Sequence, residues 1–113
     1  MPPLPDLERA VMEALWTAPK SLTAREVQDM LASRALATTT VLTVLGRLER
    51  KGLLSRAKDG RAHRYRPRAS REEHIADLMR DVLDGAPDRG AALASFLGSV
   101  PPWDRQTLRD LLR

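Results

Sequence analysis

At 113 residues, with a net charge of +4 and no cysteine, the chain is one domain or one domain plus an appendage, and disulfides, thiolate metal sites and thiol catalysis are excluded. No apolar run approaches the roughly 20 residues a membrane span needs, and Asp6 and Glu8 interrupt any signal-like stretch in MPPLPDLERA, so a soluble cytoplasmic protein is expected. The charge is asymmetric: residues 47–71 hold ten bases against two acids, +8, while residues 1–46 carry −1 and residues 72–113 carry −3, which is the footprint of a polyanion-binding surface.

Asp6 is placed to cap a first helix whose apolar positions Leu7, Ala10, Val11, Ala14 and Leu15 follow an i, i+3, i+4, i+7, i+8 spacing. Trp16 ends it and Pro19 closes it. In SLTAREVQDML, Thr23 and Glu26 form a capping box, and Leu22 and Val27 sit where a hydrophobic staple belongs. This second helix ends near Leu31. A third spans about Thr38 to Lys51, with Val41, Val44, Leu45 and Leu48 on one face and Thr39, Thr43, Gly46 and Arg50 opposite, Thr40 and Arg47 beside them. Gly52 terminates it.

The period then changes. LLSRAK and RAHRYR flank Asp59-Gly60, a strong signal for a two-residue hairpin. That turn sets Lys58 against Arg61, Arg56 against His63 and Leu54 against Tyr65. Leu54 and Tyr65 can pack on the body, whereas two cations face each other at the tip, an arrangement that suits a bound anion. Ser70 and Glu73 form a second capping box, opening a fourth helix with the stripe Ile75, Leu78, Met79, Val82 and Leu83. DGAPDRG breaks it. A fifth helix carries Leu93, Phe96, Leu97 and Val100, Pro101 and Pro102 interrupt, and a sixth, after Trp103, carries Leu108, Leu111 and Leu112. There is no internal repeat. The fold class is therefore mainly α with a small β-hairpin: a winged helix-turn-helix domain over residues 1–69 and a helical dimerisation region over residues 70–113. In that arrangement the third helix enters the DNA major groove.

The start of the third helix raises a question. Thr38, Thr39 and Thr40 are three β-branched residues where a helix must nucleate, a poor choice for the helix alone. Threonine hydroxyls can bond base edges or phosphates, the methyl can touch a thymine methyl, and the free N–H groups of a first turn favour phosphate. Thr38, Thr39, Thr40 and Thr43 are the candidate groove contacts, with Thr38 or Thr39 also the candidate N-cap. Arg47, Arg50 and Lys51 are placed for phosphate, as are Lys58 and Arg61 on the wing.

The stretches DLERAVMEALW, LTAREV, TTTVLTVLGRLERKGLL and KDGRAHRYRP followed by SREE, in this order, resemble the penicillinase repressor (BlaI/MecI) family of winged helix-turn-helix transcriptional regulators, actinobacterial type, over roughly residues 4–113. The resemblance implies a homodimeric repressor on a palindromic, double-stranded operator, of β-lactamase-type resistance genes, with C-terminal helices interlocking two chains. The amphipathic tail agrees independently. Its stripes lack an obvious second core, so Ile75, Leu78, Met79, Val82, Leu93, Phe96, Leu97, Trp103, Leu108 and Leu111 are the candidate dimerisation residues. In the family, induction can proceed by cleavage beside a phenylalanine, with a membrane-bound sensor protease as the implied partner. The matching bond here is Ser95–Phe96, where well-known members have asparagine before the phenylalanine. Some members carry basic residues where this chain has Thr39 and Leu42, which implies more hydroxyl and apolar readout here. Copper-responsive relatives use C-terminal cysteines, a mode this chain lacks.

Two other readings compete. An RNA-binding module would display aromatics for base stacking, yet Tyr65, Trp16 and Phe96 occupy expected core positions. A winged helix binding only a protein partner leaves the +8 segment unused. No cofactor, metal or enzymatic activity is expected: His63 and His74 are eleven residues apart, His74 reads as a solvated helix start, and no phosphate loop or nucleophile signature is present.

Overall fold

The computed structural model describes residues 3–113. Its elements in chain order are α1 (Asp6–Thr17), β1 (Leu22–Thr23), α2 (Ala24–Met30), a 3-10 turn (Ala32–Arg34), α3 (Thr38–Arg50), β2 (Leu54–Asp59), β3 (Ala62–Pro67), α4 (Arg71–Asp84), α5 (Arg89–Ser99) and α6 (Pro102–Leu111). The three strands form one antiparallel sheet in the order β1-β3-β2. The two-residue β1, which no local pattern announces, pairs Leu22 with Tyr65 and Thr23 with Arg64.

Local chemistry explains most boundaries. Thr23 and Glu26 make the expected capping box on α2, and Ser70 and Glu73 make the one on α4. Leu22 and Val27, the staple pair, are both buried in the core. At the end of α3, Leu53 N–H donates to Leu48 C=O and Gly52 N–H to Glu49 C=O, each at 3.0 Å. With Gly52 at φ +81°, this is a Schellman motif, and Leu53 packs on the core as such motifs favour.

One core serves the winged helix. Leu4 and Val11, Met12 and Leu15 of α1 meet Leu22, Val27, the α3 stripe Val41, Val44, Leu45 and Leu48, and Leu54 and Tyr65 of the hairpin base. Each such side chain contributes about 1.5–3 kcal/mol on burial. The tail has no counterpart. Of the eleven large apolar side chains that stand exposed among the described residues, eight belong to α4–α6 and a ninth, Leu112, follows directly. The radius of gyration is 17.7 Å and the molecule measures 51 × 28 × 27 Å, whereas a compact chain of this length has a radius of about 13 Å. The tail extends from the body as an arm.

Several expectations are corrected. The N-cap of α1 is Pro5, and Asp6 is its first residue, paired instead with Arg34 at 3.0 Å. The N-cap of α3 is Ala37, with no side-chain cap, so neither Thr38 nor Thr39 fills that role. Trp103 lies inside α6 rather than before it. His74 is buried at 7% exposure, and Phe96, expected in a core, is 47% exposed. The hairpin register also differs: Asp59 pairs with Ala62, Lys58 with His63, Arg56 with Tyr65 and Leu54 with Pro67. The turn is Gly60-Arg61. Gly60 alone has positive φ, +63°, the pattern of a turn with glycine at its first central position. An Asp59-Gly60 turn of the primed type I demands positive φ at Asp59 too, which a side chain resists. The shift slides the strands by an even step, so Leu54 and Tyr65 keep their common inward face, and the Lys58–Arg61 clash never arises.

Candidate nucleic-acid interface

The exposed side of α3 is built as its periodicity dictates. Val41, Val44, Leu45 and Leu48 are buried, while Thr38, Thr39, Thr40, Leu42, Thr43, Arg47 and Arg50 stand exposed. The uncapped start matters. The first intrahelical bond is Val41 N–H to Ala37 C=O at 3.1 Å, so the N–H groups of the three threonines have no acceptor in the helix and point outward at its positive end.

The threonine side chains divide. Thr38 Oγ1 donates to Gln28 Oε1 at 3.0 Å, and Gln28 Nε2 donates to Leu36 C=O at 2.8 Å. Gln28 thus clamps the turn between α2 and α3 and holds the first residue of α3. Thr43 Oγ1 donates back to Thr39 C=O at 2.8 Å, which consumes its proton and leaves only acceptor capacity. Thr39 and Thr40 make no side-chain hydrogen bond among the described residues. Leu42, 46% exposed, adds an apolar side chain to the same exposed surface.

The ten bases of residues 47–71 divide as well. Lys51 Nζ lies 2.5 Å from Glu8 Oε2, whose side chain is only 6% exposed. The task of Lys51 is to neutralise a buried carboxylate, a pairing invisible in the sequence because Glu8 looks like an ordinary surface acid of a first turn. Arg56 pairs with Glu49 at 3.2 Å, tying β2 to α3. Arg64 donates to Ser21 Oγ at 3.1 Å and to Ser21 C=O at 2.7 Å, and pairs with Glu26 at 3.1 Å. It anchors the wing to the start of α2. The Glu26 carboxyl is held below its ordinary value, first by the Thr23 backbone N–H and further by the positive charge of Arg64. Arg71 pairs with Glu13. Arg47, Arg50, Lys58, Arg61, Arg66 and Arg68 make no ion pair among the described residues. Four of them lie in α3 or at the wing tip. Arg50 lies along Gly46: a Cβ there would stand 3.4 Å from its guanidinium.

No aromatic side chain is exposed on this surface. Tyr65 is buried and Trp16 is packed against the core. No group of metal-binding side chains occurs among the described residues, and no helix is long and apolar enough to cross a membrane. An α-helix fits the duplex major groove, where threonine and arginine read base edges, and a basic wing beside it meets the backbone.

On the arm, α4 and α5 enclose an open apolar groove of about 690 Å³, lined by Leu78, Met79, Val82, Leu93 and Phe96 among others. Ile75 and Leu97 are about half exposed; Trp103 and Leu111 are more so, while Leu108 is partly covered. Ser95 and Phe96 lie within α5.

Comparison with known proteins agrees with this construction. A family model described as penicillinase repressor matches residues 4–113. The protein named transcriptional regulator BlaI from Mycobacterium tuberculosis, in strains CDC 1551 / Oshkosh and H37Rv, is 46% identical over 113 residues, covering 96% of this chain and 82% of the relative. Among solved structures, a MarR family protein from Bacillus stearothermophilus superposes with a TM-score of 0.54 at 23% identity, over 98% of this chain and 71% of that one. The PcaV transcriptional regulator from Streptomyces coelicolor does so with 0.53 at 26%, over 97% and 72%. These neighbours share the winged-helix fold. With a family match along nearly its whole length and a winged-helix fold, the chain belongs to the penicillinase repressor family of DNA-binding transcriptional regulators and is not an enzyme.

Proposed function

We propose that the protein represses transcription as a homodimer on a palindromic operator, each copy setting α3 into a major groove and its wing on the flanking backbone. The observation that carries the dimer is the contrast between the two halves. The winged helix buries most of its apolar side chains in one core, whereas residues 71–113 leave nine large ones exposed, four of them lining a groove. A second copy of the same arm is the economical cover, since a two-fold interface buries the same stripe on both chains. In this reading Ile75, Leu78, Met79, Val82, Leu93, Phe96, Leu97, Trp103, Leu108 and Leu111 form the dimer core, residues 70–113 act as the dimerisation region and residues 1–69 as the DNA-binding domain.

Within the DNA-binding face, Thr39 and Thr40 read base edges, Leu42 supplies apolar contact, and Arg47, Arg50, Lys58 and Arg61 position the protein on phosphates. Thr38 and Lys51 hold the scaffold in place. Target genes of the β-lactamase type, and release by a membrane-bound sensor protease cutting Ser95–Phe96, are the inducible mode this reading carries over from the family. That bond lies inside a helix, so cleavage requires α5 to unwind locally, and it removes α6 and half of α5 from the arm. Sedimentation equilibrium tests the dimer: the 12.6 kDa chain should sediment at about twice its mass at micromolar concentration, and Val82→Asp with Phe96→Asp should return it to one mass. A monomeric wild-type chain at that concentration refutes the dimer.

A further inference from the structure

The base of the arm is joined to the winged helix by a cluster of polar and ring contacts. Trp16, in the last turn of α1, donates its indole N–H to Ala69 C=O at 3.0 Å. The His74 ring packs on it with centroids 5.3 Å apart at 43°, and the Arg71 guanidinium lies 5.7 Å from its ring centre. Arg71 Nε donates to Glu13 Oε1 and Oε2 at 3.1 and 3.0 Å, its Nη2 to Glu13 Oε2 at 2.7 Å and to Thr17 Oγ1 at 3.4 Å. The Glu13 hydrogen bonds, first, and its charge raise the Arg71 pKa above its ordinary value. Past this cluster burial is sparse: in α4–α6 and the turns joining them, His74 and Val100 are the only buried residues among those described.

Every contact at this junction is directional. A guanidinium that engages both oxygens of one carboxylate fixes an angle as well as a distance, which an ammonium does not. An indole N–H on a carbonyl fixes the ring, and the ring fixes His74. The three join α1, which packs on α3 through the common core, to the first turn of α4. The lever is long. The 14 residues of α4 span about 21 Å, so a swing of about 10° at its base moves its far end by about 4 Å, close to the axial rise of one base pair, about 3.4 Å.

We propose that Glu13, Trp16, Arg71 and His74 determine which half-site spacing the repressor accepts, by fixing the angle between the recognition helix and the dimerisation arm. The proposal rests on the homodimer reading above. These residues are positioning residues and touch no DNA. Their effect is felt where two half-sites must be met at once, because a rigid dimer registers with one spacing and a hinged one with several.

The test uses the full chain and a palindromic duplex obtained by in vitro selection against the wild-type protein, remade with zero, one and two base pairs added or removed at its centre. The wild type should prefer one spacing by about tenfold or more over its neighbours, within the usual cost of a displaced contact. Arg71→Lys keeps the charge and loses the fork, and Trp16→Phe keeps the packing and loses the N–H. Both should bring the preference below about threefold while affinity for random-sequence duplex, set by phosphate contacts, stays as it was. The charge swap Glu13→Arg with Arg71→Glu re-forms a pair and should recover the preference; this recovery separates positioning from mere loss of stability. Folded, dimeric variants with the wild-type spacing profile overturn the proposal, as does a wild type indifferent to spacing. A monomer in sedimentation instead overturns the dimer reading itself, and the proposal with it.

Discussion

Lys51 is the residue whose sequence-based role and structural role differ most, and Lys51→Met separates them. Methionine keeps most of the apolar stem and deletes the ammonium that stands 2.5 Å from Glu8. Removing one partner of a fully buried ion pair costs about 3–5 kcal/mol, because a charge is left uncompensated in a poor solvent. Here the Glu8 side chain is 6% exposed but that of Lys51 is 40% exposed, so water can reach the vacated position and the loss should fall to about 2 kcal/mol, nearer the cost of an unsatisfied buried acceptor. For a domain of this size that is a fall in Tm of about 8 °C. Glu8→Gln in the same background removes the orphaned charge and should recover about half of the loss or more. Thermal melting by circular dichroism measures all three proteins, and operator titration at fixed salt and 25 °C runs beside it. If Lys51→Met melts like the wild type and instead loses affinity for every duplex, with a salt slope lower by about one, then Lys51 is a phosphate ligand and the structural assignment fails.

Thr39→Ala should cost about 1–3 kcal/mol on the selected operator and far less on random duplex, with melting unchanged because alanine is the better helix former; a lower Tm with normal operator binding makes Thr39 structural. Thr43→Ala should cost less than Thr39→Ala on the operator, since its hydroxyl proton is committed to Thr39 C=O, and an equal cost contradicts that. Arg61→Ala should weaken all duplexes alike and reduce the salt slope by about one, whereas a change of preferred base pair makes the wing tip a base reader. The Glu26 carboxyl sits below its ordinary 4.5 in the folded chain, so its contribution to stability is complete above that value and is lost as pH falls through the lower, folded value. Glu26→Gln keeps an oxygen for the Thr23 N–H and does not titrate, so melts between pH 6 and pH 3, spanning about the range over which carboxylates protonate, should fall less steeply than in the wild type; parallel curves refute the linkage.

Local sequence dictates only what lies within a few residues of itself. Both capping boxes, the Leu22–Val27 staple, the Gly52 stop and the two faces of α3 are set by spacings of three to five residues, and the tertiary fold leaves them intact. The order of three helices, a basic hairpin and an amphipathic tail was legible for the same reason: each period reports its own element. Partnerships across long stretches of chain arise only once the fold brings the elements together. Lys51 and Glu8 are 43 residues apart, Trp16 and Ala69 53, and Arg71 and Glu13 58. No window of local sequence distinguishes Glu8 from a solvated acid, or His74 from a solvated histidine. The hairpin register is a similar case. Asp59-Gly60 and Gly60-Arg61 are both plausible turns locally, and both keep Leu54 and Tyr65 inward, so the periodicity cannot choose between them. The choice falls to the one residue that takes positive φ without strain, Gly60, and β3 then finds a third strand, β1, that exists only through that pairing. The threonines that start α3 follow the same logic. Their exposure was set by a period of 3.6 residues, but Gln28, which engages the Thr38 hydroxyl, is brought there by the turn between two helices.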